Sequence, residues 1–444
     1  MKKKYVILAL AALFIFRLVY GLSSEFWFID QLQVFLIGLK FYSSHLWPYF
    51  GPDLVYTETQ IPGALLGLLV GLPLFIFPSP ESSFIFVNVL TFGSLSFFAW
   101  YTHKRIPELP GWFVWLFIMT SPWTLFNGTG VFNLSFLLAF SVVFFICFID
   151  SVFIYKDKII PENLSFFLTG LTLGCAMQLH LSWVLLMPFI AYNFFQQLIH
   201  NQRKVLYNTL WVITGFVIPL AMIAPTFIEY GLYGTGGTEK NIIFNISNFK
   251  NIFIILARFL SFAAFEVPYV LGPDTASRVA VVKNHIWMAP FTIFLLPAGI
   301  IQVLYYIYSF FTYLKKINNS KEESASQTDQ WKKIIILTLS SFLLIFSSFF
   351  FSVKGPASHT FYIMLPIAMF YAFHTYSLLV KKTFFKKLAL LYFICGFIFH
   401  AGLILDNFNT RSIYKDRQKV QKAIDEKNYK ILGIRRSDIW GRGY

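Results

Sequence analysis

Long apolar runs broken by short polar or basic punctuation recur along the whole chain. The best span candidates are 5–22, 83–101, 111–126, 133–155, 163–179, 182–199, 207–229, 288–314, 334–353, 359–381 and 385–405. A span needs about 20 apolar residues, because about 30 Å of hydrocarbon is crossed at roughly 1.5 Å per residue. Each must be a helix, since lipid offers a bare backbone amide no partner. The pattern therefore predicts an all-α polytopic membrane protein with about eleven transmembrane helices. Two further apolar stretches are punctuated differently. Segment 62–78 carries Pro62, Pro73 and Pro78, and 250–267 carries Arg258 and Glu266. Both are expected to be juxtamembrane or partly inserted helices on the outer side.

Composition agrees and orients the chain. The 444 residues are 57% hydrophobic and 13% charged, which excludes an ordinary soluble enzyme. The 20% aromatic share excludes a disordered chain. Lys and Arg number 36 against 21 Asp and Glu, and they cluster between the runs. With 62–78 and 250–267 not crossing, Lys2–Lys4, Lys104-Arg105, Lys156/Lys158, Arg203-Lys204, Lys315/Lys316 with Lys332/Lys333, and Lys381/Lys382 with Lys386/Lys387 all face the cytoplasm, and the C-terminus lies outside. The basic excess thus reads as membrane topology, with no nucleic-acid partner. Arg17 interrupts the first apolar run, which predicts an uncleaved first helix in place of a signal peptide. Cys147, Cys175 and Cys395 lie inside apolar runs, so neither a disulfide framework nor a zinc site is expected. Residues 1–405 read as one membrane domain, with outer loops at 23–82 and 230–287. Residues 318–330 read as an inner linker and 406–444 as a short polar outer tail.

The first outer loop carries the most chemistry. Asp30 opens a stretch in which Leu32, Phe35, Leu36, Leu39 and Leu46 recur at helical spacing, predicting an amphipathic helix at the interface with the acid at its N-terminal end. Trp47-Pro48 follows, then a second acid, Glu58, shortly before Pro62. An acid just above the first helix, a Trp-x-Pro-like stretch and an acid near a Pro together resemble the first extracytoplasmic loop of the GT-C glycosyltransferases. The resemblance is to the branch that holds protein O-mannosyltransferases and the lipid A aminoarabinose transferase. Ser121-Pro122-Trp123 with Asn133-Leu134-Ser135, the turn Gln178-Leu179-His180-Leu181-Ser182, and Tyr362 with Pro366 extend it over most of the chain. Gln31 departs from the pattern, since many relatives carry Asp-Glu where this chain has Asp30-Gln31.

The resemblance implies a GT-C-like bundle with outer juxtamembrane helices, in which 1–405 is catalytic. It implies transfer of a sugar from a polyprenyl-phosphate carrier to a glycan, lipid or protein acceptor on the extracytoplasmic face of a bacterial inner membrane, with inversion at the sugar. Such a reaction needs a carboxylate to take the proton of the attacking hydroxyl, and cations to hold the leaving phosphate. Asp30 is the expected general base, against the alternative of a solvated helix cap. Glu58 would orient the acceptor or ligate a divalent metal, the one cofactor for which the pattern leaves room, or is a plain loop acid. Arg258, Arg278, Lys283 and Lys354 are the candidate phosphate ligands, against binding of anionic lipid headgroups. His180 and His359 are candidates for hydrogen bonding to phosphate or acceptor, against structural roles. The glycine-rich stretch 231–237 follows no strand and reads as a loop or lid. Two other function classes stay open. A transporter or flippase of lipid-linked saccharides should carry ionisable residues near the midplane of several helices, and 83–101, 111–126, 288–314 and 334–353 have almost none. A polysaccharide polymerase or ligase would differ mainly in donor and acceptor size.

Overall fold

The computed structural model describes residues 3–23, 29–54, 59–152, 154–155, 157–231, 244–272, 274–319, 325–351, 362–410 and 412–433. Side chains of Asp30, Asp53 and several residues bordering the gaps are also left undescribed.

The chain is helical nearly throughout. In order it forms α1 (Lys3–Ser23), α2 (Ile29–Ser44), a hairpin of β1 (Phe50–Leu54) and β2 (Thr59–Pro62), α3 (Leu65–Ile76), α4 (Ser82–Arg105), α5 (Gly111–Thr120), α6 (Pro122–Thr129), α7 (Asn133–Ser151) and α8 (Glu162–Met177). A 3-10 turn, Leu181–Leu186, leads into α9 (Met187–His200), followed by α10 (Val205–Tyr230). After the turn Ile246–Asn251 come α11 (Ile252–Ser261), α12 (Val267–Leu271), α13 (Thr275–Asn284), α14 (Ala289–Asn319) and α15 (Ala325–Ser348). Then follow α16 (Leu365–Ser377), α17 (Thr383–Thr410) and α18 (Arg417–Asp425).

Among the described residues, eight helices are long and apolar enough to cross a membrane, and they coincide with eight of the expected spans. The count of eleven is not reproduced. Segment 111–126 is two helices, because Ser121 is extended and Pro122 restarts the helix while the Ser121 hydroxyl accepts the Thr124 amide. Segments 163–179 and 359–381 contain the 16-residue α8 and the 13-residue α16. Both are short for a full crossing. The two stretches read as juxtamembrane are short helices, α3 and α11, as expected.

Burial separates a central layer from a lipid-facing shell. In α7, 89% of the apolar window is buried, against 17% in α14. Every residue of α16 from Leu365 to Tyr376 is buried. The peripheral helices instead expose large apolar side chains, such as Ile213, Val217 and Phe227 on α10 and Ile293, Ile300 and Leu304 on α14. Such faces suit hydrocarbon and would be untenable in water.

The C-terminal ends of α1, α5, α8, α10 and α17 gather with α2, the hairpin, α3, α6 and α13 at one end of the bundle, here called the upper end, and the turn between α11 and α12 reaches down from it to Gln302 of α14 and Gly396 of α17. Helices α2 and α3 pack closely there. A Cβ on Gly38 would sit 2.4 Å from Val70 Cγ1, so the contact requires glycine. Phe35 and Leu39 of α2 are wholly buried in it, as the helical spacing anticipated, whereas Leu46 lies past the helix and is exposed.

The lower end is closed by ion pairs. Arg105 pairs with Asp150, whose carboxylate also accepts the Ile159 and Ile160 amides. Glu162 holds Lys158 at 2.8 Å and Lys204 at 3.0 Å.

The tail is not free in solvent. Val420, Ala423 and Ile424 of α18 are buried, and Arg417 donates to both oxygens of Glu81, at 2.5 and 3.2 Å. Gln421 Nε2 reaches the Pro78 carbonyl at 2.9 Å. Burial pushes the Glu81 carboxyl up, but the Arg417 and Ser79 hydrogen bonds and the Arg417 charge outweigh it and hold it below the ordinary carboxylate range. A depressed carboxylate contributes stability above its unfolded value, about 4.3, and loses it as pH falls through the folded value. The tail anchor is therefore expected to be constant from pH 7 to about 5 and to weaken below about pH 4. Hydrogen exchange over 417–425 checks this. Glu81→Gln should raise exchange about five-fold at pH 7, the scale of a partly exposed pair, and should remove most of the acid step.

Candidate functional site

The upper end is built around α6, an eight-residue helix whose carbonyls have no helical continuation to satisfy them. Arg17 of α1 meets that need. It is 0% exposed, donating through Nη1 to the Met119 carbonyl at 2.8 Å and through Nη2 to Thr124 and Gly128 at 3.2 and 3.3 Å. Thr91 of α4 adds a hydroxyl to Gly128 O at 2.6 Å, and Asn88 an amide to Thr129 O at 2.9 Å. The Tyr362 hydroxyl donates to the Trp123 carbonyl at 3.1 Å. Helix α6 is thus a fixed platform inside the bundle. Arg17 neither snorkels nor lines a cavity.

Trp123, in the first turn of α6, points at α11 and α12. Its Nε1 donates to Glu266 Oε2 at 3.1 Å. Arg258 Nη1 pairs with the other oxygen of Glu266, and the Ser261 hydroxyl lies 2.6 Å from Oε2. Arg258 also lies beside two rings, 5.6 Å from the Trp123 centroid and 5.2 Å from that of Tyr269. Those rings stack on each other at 4.4 Å. The result is an ion pair beside an aromatic stack, with side chains 29% and 19% exposed. Among the sequence candidates, Arg258 therefore has its charge already faced by an acid.

A second cluster ties the first loop to the bundle. Gly63 N donates to Tyr49 O at 2.9 Å at the base of the hairpin, and Thr226 of α10 donates to the same oxygen at 2.5 Å. Gly63 has φ +124° and lies against Gln178, where a Cβ would fall 2.3 Å from Oε1. Gln178 Oε1 accepts the Leu65 amide at 3.3 Å, while its Nε2 donates to Pro219 O at 2.9 Å. Asn133 Nδ2 reaches the Leu179 carbonyl at 3.2 Å. The turn 178–182 and Asn133, singled out in the sequence, are thus brought against the loop that carries Asp30 and Glu58. His180 caps the 3-10 turn: Nδ1 accepts the Ser182 amide at 3.1 Å and lies 2.8 Å from the Ser182 hydroxyl.

The remaining candidates fall in three places. Asp30 is the second residue of α2, as the spacing predicted, but its side chain is outside the described residues. Glu58, Lys354 and His359 lie outside them altogether, as does most of the glycine-rich stretch. Arg278 and Lys283 are both on α13. Arg278 Nε donates to the Gly272 carbonyl at 2.8 Å, and Lys283 is exposed near the end of the helix. Beside it His285 Nε2 lies 3.3 Å from Asp406, the first residue of the polar tail. Glu266 was visible only as a charge within an apolar stretch, and Trp123 only as part of a Ser-Pro-Trp motif.

Two further features bear on what the upper end can do. An open groove of about 670 Å³ is lined by Phe244, Ile246, Ser247, Phe249, Lys250 and Phe350. It is almost wholly apolar and carries one cation. Among the described residues, no three His, Cys, Asp or Glu side chains gather as a metal-binding group.

The chain matches no family model and no curated protein. It is similar in fold to two crystal structures of ArnT from Cupriavidus metallidurans, an enzyme of GT-C fold. Against the apo structure the TM-score is 0.50 at 11% identity, covering 91% of this chain and 77% of that one. Against the structure bound to undecaprenyl phosphate it is again 0.50 at 11% identity, covering 93% and 79%. A likeness this long at so low an identity is one of fold, and the GT-C-like helical architecture expected from the first loop is the one the chain has.

Proposed function

We propose that this protein is an integral-membrane glycosyltransferase that moves a sugar from a polyprenyl-phosphate-linked donor to an acceptor on the extracytoplasmic face. The observation that carries the reading is the fold likeness to ArnT along nearly the whole chain, including the form with undecaprenyl phosphate bound. The arrangement of the upper end supports it. An aliphatic tail needs an apolar seat, and the groove at Phe249 and Phe350 has that chemistry with Lys250 at its edge. A phosphate leaving group needs cations where its charge develops. Arg258, Arg278 and Lys283 lie on α11 and α13 at this end, and Lys354 is expected to join them.

In this reading the acceptor hydroxyl attacks the anomeric carbon opposite the phosphate, so the configuration inverts. Asp30 takes the hydroxyl proton, and the polyprenyl phosphate departs with the bonding pair. Glu58 orients the acceptor. His180 and His359 are assigned to hydrogen bonding at phosphate or acceptor, and a glycan, a lipid or a protein is the acceptor class. The upper end then faces away from the cytoplasm of a bacterial inner membrane, with the basic lower end inside.

The test is direct. Full-length protein in proteoliposomes is supplied with radiolabelled sugars on undecaprenyl phosphate, and free undecaprenyl phosphate is measured together with label on added acceptors. Cleavage of the sugar–phosphate bond that depends on the protein is expected. Passage of intact donor across the bilayer without cleavage would move the assignment to a lipid-linked saccharide transporter.

A further inference from the structure

We infer that Glu266 is a positioning residue for the donor phosphate, aiming the Arg258 guanidinium without itself touching substrate. This rests on the polyprenyl-phosphate reading above and adds to it a part that the first-loop motifs do not contain.

The asymmetry of the cluster carries the argument. The Glu266 carboxylate is held from two sides. Oε2 takes Trp123 Nε1 at 3.1 Å and the Ser261 hydroxyl at 2.6 Å, while Oε1 takes Arg258. The one Ser261 proton is shared between that oxygen and the Arg258 carbonyl, 2.8 Å away. Trp123 is itself fixed, 1% exposed, on the α6 platform that Arg17 and Tyr362 hold. The carboxylate would therefore keep its place if Arg258 let go.

The converse does not hold. Among the described residues, the pair with Glu266 is the side-chain hydrogen bond that Arg258 makes, and its other contacts are with the side of the Trp123–Tyr269 stack. A ring stack accepts no directed hydrogen bond at its side and leaves the guanidinium free to turn. Glu266 removes that freedom. A guanidinium carries five N–H groups in a planar fork, so one can stay on Glu266 while others grip a phosphate in bidentate fashion. With the side chain 29% exposed, a ligand can reach them.

The device has an electrostatic cost, and that cost supplies its signature. A carboxylate one guanidinium away repels a phosphate, so it weakens ground-state binding while it improves aim. Glu266→Gln removes the charge but keeps the shape. It also leaves one acceptor oxygen where Glu266 uses two, so either Arg258 or the Trp123 and Ser261 donors lose their partner. Binding and turnover should move in opposite directions. A structural pair would shift both together or neither.

The experiment uses the full chain in nanodiscs, with undecaprenyl phosphate as the binding probe and the transfer assay for kcat and donor KM. Glu266→Gln is expected to bind the probe about ten-fold more tightly and to lose about ten- to hundred-fold in kcat. Arg258→Gln should lose binding. Ser261→Ala, a smaller change, should lower kcat about three-fold with binding unchanged, and it decides the matter if Glu266→Gln does not fold. Unchanged binding and kcat in Glu266→Gln, or unchanged kcat in Ser261→Ala, overturns the inference. The two readings fail separately. If the wild-type protein binds the probe but cleaves no donor, the transferase reading falls, while tighter binding by Glu266→Gln and lost binding by Arg258→Gln still support the aiming role. If the wild type transfers sugar and Glu266→Gln matches it in every constant, only the aiming role falls.

Discussion

Asp30→Asn should lower sugar transfer by about 10²–10⁴-fold, the range that a positioned general base contributes. Binding of undecaprenyl phosphate should stay within about two-fold of wild type, because the proton is accepted only as the hydroxyl attacks. Asparagine keeps the size of the side chain and one acceptor oxygen but is not basic, so the loss should appear in kcat. The placement supports the choice. Asp30 is the second residue of α2, a helix pinned by the Gly38 contact with α3 and by the segment Tyr429–Leu432 packed against it. A base on such a support is held against drift, which matters because small displacements are costly to rate. Single-turnover kinetics with labelled donor separates chemistry from binding. Transfer by the Asp30→Asn protein at near wild-type rate would remove Asp30 from the mechanism and leave Glu58 as the acid to examine.

Arg17→Met should destabilise the transmembrane region. An arginine at helix depth carries an insertion penalty of about 2.5–3.5 kcal/mol, so a buried one persists only where it answers a larger need. Here the need is a set of carbonyls in α5 and α6: Met119 just before the break at Ser121, and Thr124 and Gly128 beyond it, all accept from this one guanidinium. Methionine fills similar volume and restores apolarity, yet it removes the side-chain donor from Met119 and Thr124 and leaves Gly128 to the Thr91 hydroxyl alone. At roughly 1–3 kcal/mol for each of the two carbonyls, less the arginine's own penalty, the net loss should come to as much as about 3 kcal/mol. Arg17→Lys keeps the charge but cannot fork to three oxygens, and should recover only part. Thermal unfolding in detergent measures both. Because Trp123 rides on α6, Arg17→Met should also loosen the Trp123–Glu266 hydrogen bond and lower transfer in whatever fraction folds. An unchanged melting temperature in Arg17→Met would mean that water serves these carbonyls instead.

The apolar pattern determined a good deal. It placed the eight long helices, because a span is a local property: length and hydropathy within one window suffice. It placed α2 with Asp30 near its start, since the spacing of Phe35 and Leu39 is likewise local. Proline and charge marked α3 and α11 as short helices, and the loop motifs pointed to the fold that the ArnT comparison bears out.

Only the tertiary structure decided which polar groups meet. Arg17 lies 102 residues from Met119, Trp123 lies 143 from Glu266, and Tyr362 lies 239 from Trp123. No window spans such pairs. The chain also hides its own interior. In a soluble protein, polarity separates inside from outside, but in a bilayer a lipid-facing Phe227 and a core Phe145 are equally apolar. The pattern shows that a helix crosses and is silent on which face turns inward, so it could not tell whether Arg17 meets lipid, a cavity or a partner. It named Arg258 and Glu266 in one stretch without showing that they pair. That Glu266 faces Arg258 depends on the turn between α11 and α12 and on the tryptophan that α6 holds beneath them.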